Sequence, residues 1–194
     1  LKQNTLGRLV EFESHFDRFR NYSKANAWRE AEEEPGSGIL YDLGSHLIDQ
    51  SMQLFGHPTH ITADIRNQRG EEVSNTDDSF EINLHYKGPL KITLKAGMLV
   101  REPLPKFILN GTLGSYVKYG LDPQEQALQE GRLPDEPGWG QEPEELWGTL
   151  NTEINGLHYS GRVETLPGSY QNYYQNIYNA ITGQDSLQVV PEQA

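Results

Sequence analysis

The sequence predicts an α+β domain: an open, mostly antiparallel β-sheet with helices packed on one face. Two observations carry this. Segments that alternate apolar and polar residues follow one another with tight-turn signals between them, as in hairpins. Stretches with apolar residues at helical spacing, 38–55 and 167–182, and a short helix suggested at 121–131 by its Asp-Pro start, stand apart from that strand run. Consecutive hairpin strands with helices set aside build an α+β sheet rather than alternating βαβ units. The length of 194 residues fits a single domain, so one domain over 1–194 is expected.

Residues 7–20, GRLVEFESHFDRFR, alternate and read as a long half-buried strand. Residues 21–36, NYSKANAWREAEEEPG, have no clean period and are rich in charge. They read as a surface loop or an irregular helix, long enough to be functional. Over 38–55 the period becomes helical. At about 100° per residue, Leu40, Leu43, Leu47, Ile48, Met52, Leu54 and Phe55 share one arc, the expected core face. Gly44 lies in that arc, where a missing Cβ lets a neighbouring backbone approach closely in exchange for a helix cost of about 1 kcal/mol. Strands are expected at 59–67, 79–86, 90–96, 107–109 and 115–119. Turns are expected at Lys87-Gly88-Pro89 and Asn110-Gly111. Asp122-Pro123 opens a short helix, 132–149 reads as a covering loop, and 153–165 holds one or two short strands. A last helix carries Tyr170, Tyr173, Tyr174, Ile177, Tyr178 and Ile181 at helical spacing and stops at Gly183. The strand at 79–86 sets Phe80, Ile82 and Leu84 against Glu81, Asn83 and His85. One sheet face is therefore polar, and it is either solvated or buried against a partner.

Composition excludes several functions. Sixteen Lys+Arg against 28 Asp+Glu leave a net charge of -12, which argues against nucleic-acid binding and against a polybasic membrane-surface role. No apolar run approaches the roughly 18 residues of a membrane span, and the start LKQNTLGR lacks a signal peptide's apolar stretch. The absence of cysteine removes disulfides, thiolate chemistry and Cys-ligated zinc. A cytoplasmic location is expected. The start at Leu1 and a helix that opens at Pro191 without a body read as a piece of a longer chain.

The sharpest constellation is Asp42, His46 and Asp49, opposite the core arc. Spacings of four and three residues place carboxylate, imidazole and carboxylate side by side on a helix. A carboxylate beside an imidazole orients the ring and stabilises its charged form, as a general acid or base near neutral pH requires. The same stripe is also what the solvated face of an amphipathic helix looks like. A metal site is a third reading, but no partner ligand set is evident and none is assigned.

Glycines narrow the choice. The string GSGILYDLGSHLID over 36–49 resembles the G-x-L-x-D-x-G-x-H-x-x-D signature in the C-terminal domain of the Gfo/Idh/MocA oxidoreductases, the glucose-fructose oxidoreductase and inositol dehydrogenase superfamily. FDRFR at the end of the first strand, WRE at 28–30, LFGHP after the helix and PGSYQNYYQNIYNAITG near the end follow the family's order. The resemblance implies a two-domain enzyme whose N-terminal Rossmann half binds NAD or NADP, followed by this substrate-binding and oligomerisation domain. No G-x-G-x-x-G and no Glu-Lys-Pro lysine occurs in this chain, so no cofactor-binding residue is assigned in it. On the family's pattern His46 accepts the proton of a substrate hydroxyl while hydride leaves for the nicotinamide, and Asp42 holds the substrate. Arg18, Trp28, Arg29 and Tyr170 are weaker candidates for substrate binding. The expected substrate is a sugar, inositol or similar polyol oxidised at a secondary alcohol, and the expected partner is a second copy through the open sheet face. The isolated chain is expected to be inactive. The competing expectation is a non-catalytic assembly or ligand-sensing module whose Asp/His stripe is only solvated.

Overall fold

A computed structural model describes residues 4–24, 27–31 and 34–191. The chain divides into two compact units, Leu1–Gly120 with Gly148–Val163, and Leu121–Trp147 with Glu164–Ala194.

The first unit is built on an eight-stranded sheet: β1 (Leu9–His15), β2 (His60–Arg66), β3 (Ser79–His85), β4 (Lys91–Gly97), β5 (Phe107–Gly111), β6 (Gly114–Lys118), β7 (Gly148–Ile154) and β8 (Leu157–Val163). Their order is β2-β3-β4-β1-β5-β6-β7-β8. The first strand in sequence thus becomes a central one. β1 runs parallel to β4, and all the other neighbours are antiparallel. The open, mostly antiparallel α+β sheet read from the sequence is the fold observed.

The helix α1 (Ser45–Phe55) is preceded by a π-helical turn, Leu40–Gly44. Leu43 and Leu47 from this segment join Phe12, Phe80, Ile82, Leu84, Ile92 and Leu94 in one buried cluster. Each of these strand residues lies on the same sheet face, because side chains alternate along a strand. Gly44 meets side chains rather than the backbone expected there: a Cβ would stand 3.0 Å from Leu40 and 3.4 Å from the Phe80 ring. Leu54 does not follow expectation and is 50% exposed. The wider π turn rotates the residues before Ser45 relative to those after it, so one uniform helical wheel misplaces the edge of the arc.

Three strand boundaries also differ. β1 ends at His15, and 16–20 continues as extended chain joined to the end of β4, with Arg18 N donating to Gly97 O at 2.9 Å. β5 runs through Asn110-Gly111 and the chain turns after it, at 112–113. Asn110 is held in the sheet because its Nδ2 donates to Glu11 at 2.9 Å while its Oδ1 accepts from Ser115 at 2.7 Å. Gly111 serves close approach rather than the turn: a Cβ there would lie 2.1 Å from the Leu6 carbonyl oxygen. β7 starts at Gly148 and meets β8 through Asn155 and Gly156, both at positive φ (52° and 78°), as a two-residue hairpin requires.

The second unit contains α2 (Gln124–Gln129) and α3 (Tyr170–Ile181). Gln124, fully buried, accepts from Trp139 Nε1 at 2.8 Å and from the Tyr170 amide at 2.9 Å. Asn176 similarly donates to Ser186 O and accepts from Gln188 N, each at 2.9 Å. Residues 192–194, where the helix opening at Pro191 was expected, lie outside the described residues. Among the described residues no helix is long and apolar enough to cross a membrane.

Candidate functional site

Asp42 sits in the π turn and His46 in the first turn of α1, so the two come from one continuous segment. Its start is anchored from β3. The Leu40 amide donates to Asp77 Oδ2 at 2.8 Å and the Ile39 amide to the Asp77 carbonyl at 3.1 Å. Gly38, at φ +88°, passes so close to this carboxylate that a Cβ would lie 1.9 Å from Asp77 Oδ1. The glycine is needed both for the left-handed backbone and for that approach. These first helical amides are therefore already satisfied, which leaves no ready phosphate cradle at this helix start.

The stripe of three side chains is not a hydrogen-bonded triad. Arg29 Nε takes Asp42 Oδ1 at 2.8 Å, with the two side chains 54% and 25% exposed. Asp49 accepts from Gln53 at 3.4 Å, one turn further along α1. His46 is exposed on the same side of the segment and, among the described residues, pairs with neither carboxylate. The orientation of the imidazole by Asp42 expected from the spacing is not made. The Asp42 carboxylate is instead ion-paired with the Arg29 guanidinium from the preceding loop.

Trp28 and Arg29 belong to a short 3-10 turn, Trp28–Glu30, within the long loop. The Arg29 guanidinium lies 4.7 Å above the Trp28 ring, and Trp28 is 52% exposed. The Gly38 amide donates to the Arg29 carbonyl at 2.8 Å, tying this turn to the start of the helical segment. The fold therefore joins Trp28 and Arg29 to Asp42, with His46 four residues further along the same segment. Arg18 is exposed further along the chain from β1, its guanidinium 5.1 Å from the Phe16 ring, and no contact joins it to Asp42. Tyr170 opens α3 in the other unit, where burial, then Asp122 and Glu125, push its hydroxyl pKa upward.

Asp77 and Asp78, just before the strand expected at 79–86, were not among the candidate residues. Asp78 is buried and accepts from Arg69 Nε at 2.9 Å. Two adjacent acids before a strand carry no periodic signal. The one clue was Arg69, eight and nine residues upstream of them in a loop. Among the described residues no group of three or more metal-binding side chains converges.

A family model described as the oxidoreductase family, C-terminal alpha/beta domain (GFO_IDH_MocA_C) matches residues 1–194. The scyllo-inositol 2-dehydrogenase (NADP(+)) IolW of Bacillus subtilis is 37% identical over 196 residues, covering 100% of this chain and 52% of that protein. YdgJ of Escherichia coli, an uncharacterized oxidoreductase, is 42% identical over 100% of this chain and 54% of its own length. Among solved structures, an oxidoreductase from Bacillus cereus superposes with a TM-score of 0.82 at 36% identity, covering 99% of this chain and 63% of that one. The chain thus spans about half the length of these curated relatives.

Proposed function

The chain belongs to the C-terminal alpha/beta domain family of the Gfo/Idh/MocA oxidoreductases, and from that premise we propose that it is the substrate-binding domain of an NAD(P)-dependent dehydrogenase. The substrate is a sugar, inositol or similar polyol, oxidised at a secondary alcohol in carbohydrate metabolism. The observation that carries this reading is the placement of an exposed His46 one turn after Asp42, the carboxylate that Arg29 and, through it, Trp28 border. The name of the Bacillus subtilis relative supports the polyol class and a nicotinamide cofactor.

In this reading the substrate's hydroxyl is held by the second oxygen of Asp42, since Arg29 engages the first. His46 accepts the hydroxyl proton at a ring nitrogen as the carbon is oxidised. The half-exposed Trp28 ring offers an apolar platform for the C–H face of a sugar ring, and Arg29 offers donors to its hydroxyls. The nicotinamide, held by the other part of the full-length protein, supplies the hydride acceptor. The isolated chain is inactive as a dehydrogenase, works in the cytoplasm as part of the full-length enzyme, and assembles with a second copy through the polar sheet face.

The test is nicotinamide reduction by the full-length protein with inositols and sugars as substrates. His46→Ala is expected to lower kcat by about a hundredfold or more, the usual loss of a general base. Unchanged turnover removes that role from His46. The competing reading, an assembly or ligand-sensing module, draws on the Arg29–Asp42 pair that closes the expected triad. Failure of the full-length protein to bind any nicotinamide nucleotide in a fluorescence titration would decide for it.

A further inference from the structure

Behind the candidate site lies a chain of buried charges that the reaction itself does not use. The Arg69 and Asp78 side chains are 1% and 0% exposed and meet at 2.9 Å. Asp78 is completed by the backbone amides of Gln68 at 2.7 Å and Arg69 at 2.8 Å. Arg69 Nη1 then reaches outward to the Tyr22 carbonyl at 2.8 Å and to Glu30 Oε2 at 3.3 Å. Glu30, itself 8% exposed, is shared with Arg20. Two guanidiniums and two carboxylates thus balance. Taking four charges out of water is unfavourable unless each is paired and hydrogen-bonded, so such a cluster fixes geometry more than it adds stability.

What it fixes is the 3-10 turn that carries Trp28 and Arg29. Glu30 is the inward-facing residue of that turn and Arg29 its outward-facing neighbour. The Arg29–Asp42 pair is partly exposed and too weak on its own to hold a loop in place. Asp77 and Asp78, consecutive at the entry to β3, hold the two sides. Asp77 takes the start of the helical segment bearing Asp42, and Asp78 takes Arg69, which takes Glu30. We propose that Arg69, clamped between Asp78 and Glu30, is a positioning residue that sets Arg29 against Asp42 and so presents the Asp42 carboxylate to the substrate hydroxyl. This rests on reading Asp42 and His46 as the substrate site.

The test uses the full-length protein with Arg69→Met, with Glu30→Gln as a second, isosteric variant should the first fail to fold, and with Arg69→Lys as the conservative replacement. Two readouts are combined. Hydrogen exchange follows the Glu30 and Ala31 amides, which bond to the Ala27 and Trp28 carbonyls, and kinetics follow oxidation of the alcohol. Exchange at 27–31 is expected to quicken about tenfold or more while exchange in 45–55 stays unchanged. The kcat/KM for the alcohol is expected to fall about tenfold or more with nicotinamide affinity unchanged, and Arg69→Lys should recover part of both. Unchanged exchange at 27–31 overturns the clamp. A loosened 27–31 with unchanged kcat/KM overturns its service to the substrate site. If the parent protein oxidises no alcohol while 27–31 loosens in the variants, the reading of the site fails and the clamp stands.

Discussion

On the helix side of the sheet, Phe12, Ile82, Leu84, Ile92 and Leu94 close against Leu43 and Leu47 in a dry core. On the other side the same strands display charge. Lys95 pairs with Glu81 at 2.8 Å and Lys91 with Glu11 at 3.3 Å, while Thr93 donates to Asn83 at 2.9 Å. His15 bridges Glu13 at 3.2 Å and Asp17 at 3.1 Å. The apolar face gains by excluding water and by close packing, so each atom removed from it leaves a void. The polar face gains little from each screened pair but keeps its strands soluble and in register. Folding therefore rests mainly on one face. His46 lies on the solvent side of the helix that covers it, and its neighbour Leu47 is wholly buried in the core.

The comparison can be broken most directly at Phe12, whose ring lies 5.1 Å from Phe55 and 6.0 Å from Phe107. Phe12→Ala is expected to lower stability by about 3–5 kcal/mol in urea unfolding. A loss below about 1 kcal/mol would mean that the core is not the main support. Lys106 probes the boundary between the faces. Its ammonium lies 4.2 Å from the Phe16 ring and is buried without a hydrogen-bond partner among the described residues, so desolvation lowers its pKa from 10.5 to about 8. The folded state disfavours the charged form, a penalty complete below the folded pKa and absent above the unfolded one. Lys106→Met should therefore raise stability at pH 7 by about 1–2 kcal/mol, after allowing for the lost ring contact, and the gain should fade at alkaline pH. A melting temperature that falls on this substitution contradicts the account.

His15 gives the smallest effect and the sharpest view of the polar face. Its hydrogen bond to Asp17, and then that to Glu13, hold its pKa above the ordinary histidine value of 6.5, against an opposing effect of burial. A raised folded pKa contributes stability that is fully present below the unfolded pKa and is lost as pH rises through the folded one. Thermal melts should show about 1 kcal/mol more stability at pH 6 than at pH 9 from this group. In His15→Asn that component should vanish, and a variant that keeps the full pH dependence would assign it to another residue.

Much of the fold could be read from local pattern. Alternation in 79–86 and 90–96 located β3 and β4, and the Asp-Pro and Pro-Gly-Ser starts located α2 and α3. The division into two units lies within a span read as one domain, because turn and helix signals do not report how densely segments contact one another. The hairpin turn was misplaced at Asn110-Gly111 because a glycine required by the passing Leu6 backbone looks, in sequence, like a turn glycine. At the site, Asp42, His46, Trp28 and Arg29 were all legible as candidates. Their pairing was not: Arg29 rather than His46 takes Asp42.

By itself, then, the sequence determined the alternation of the strands, the helical segments, the acidic and cysteine-free character, and the family signature around Asp42 and His46. These depend on spacings of a few residues, over which backbone geometry is regular. Only the tertiary structure decided that β1 inserts between β4 and β5 and that Arg69 reaches Asp78 and Glu30. It also decided that Asp77 anchors the segment carrying the site. Those choices join residues far apart in sequence, and which buried charge finds which partner is settled when the whole chain closes and desolvates them together.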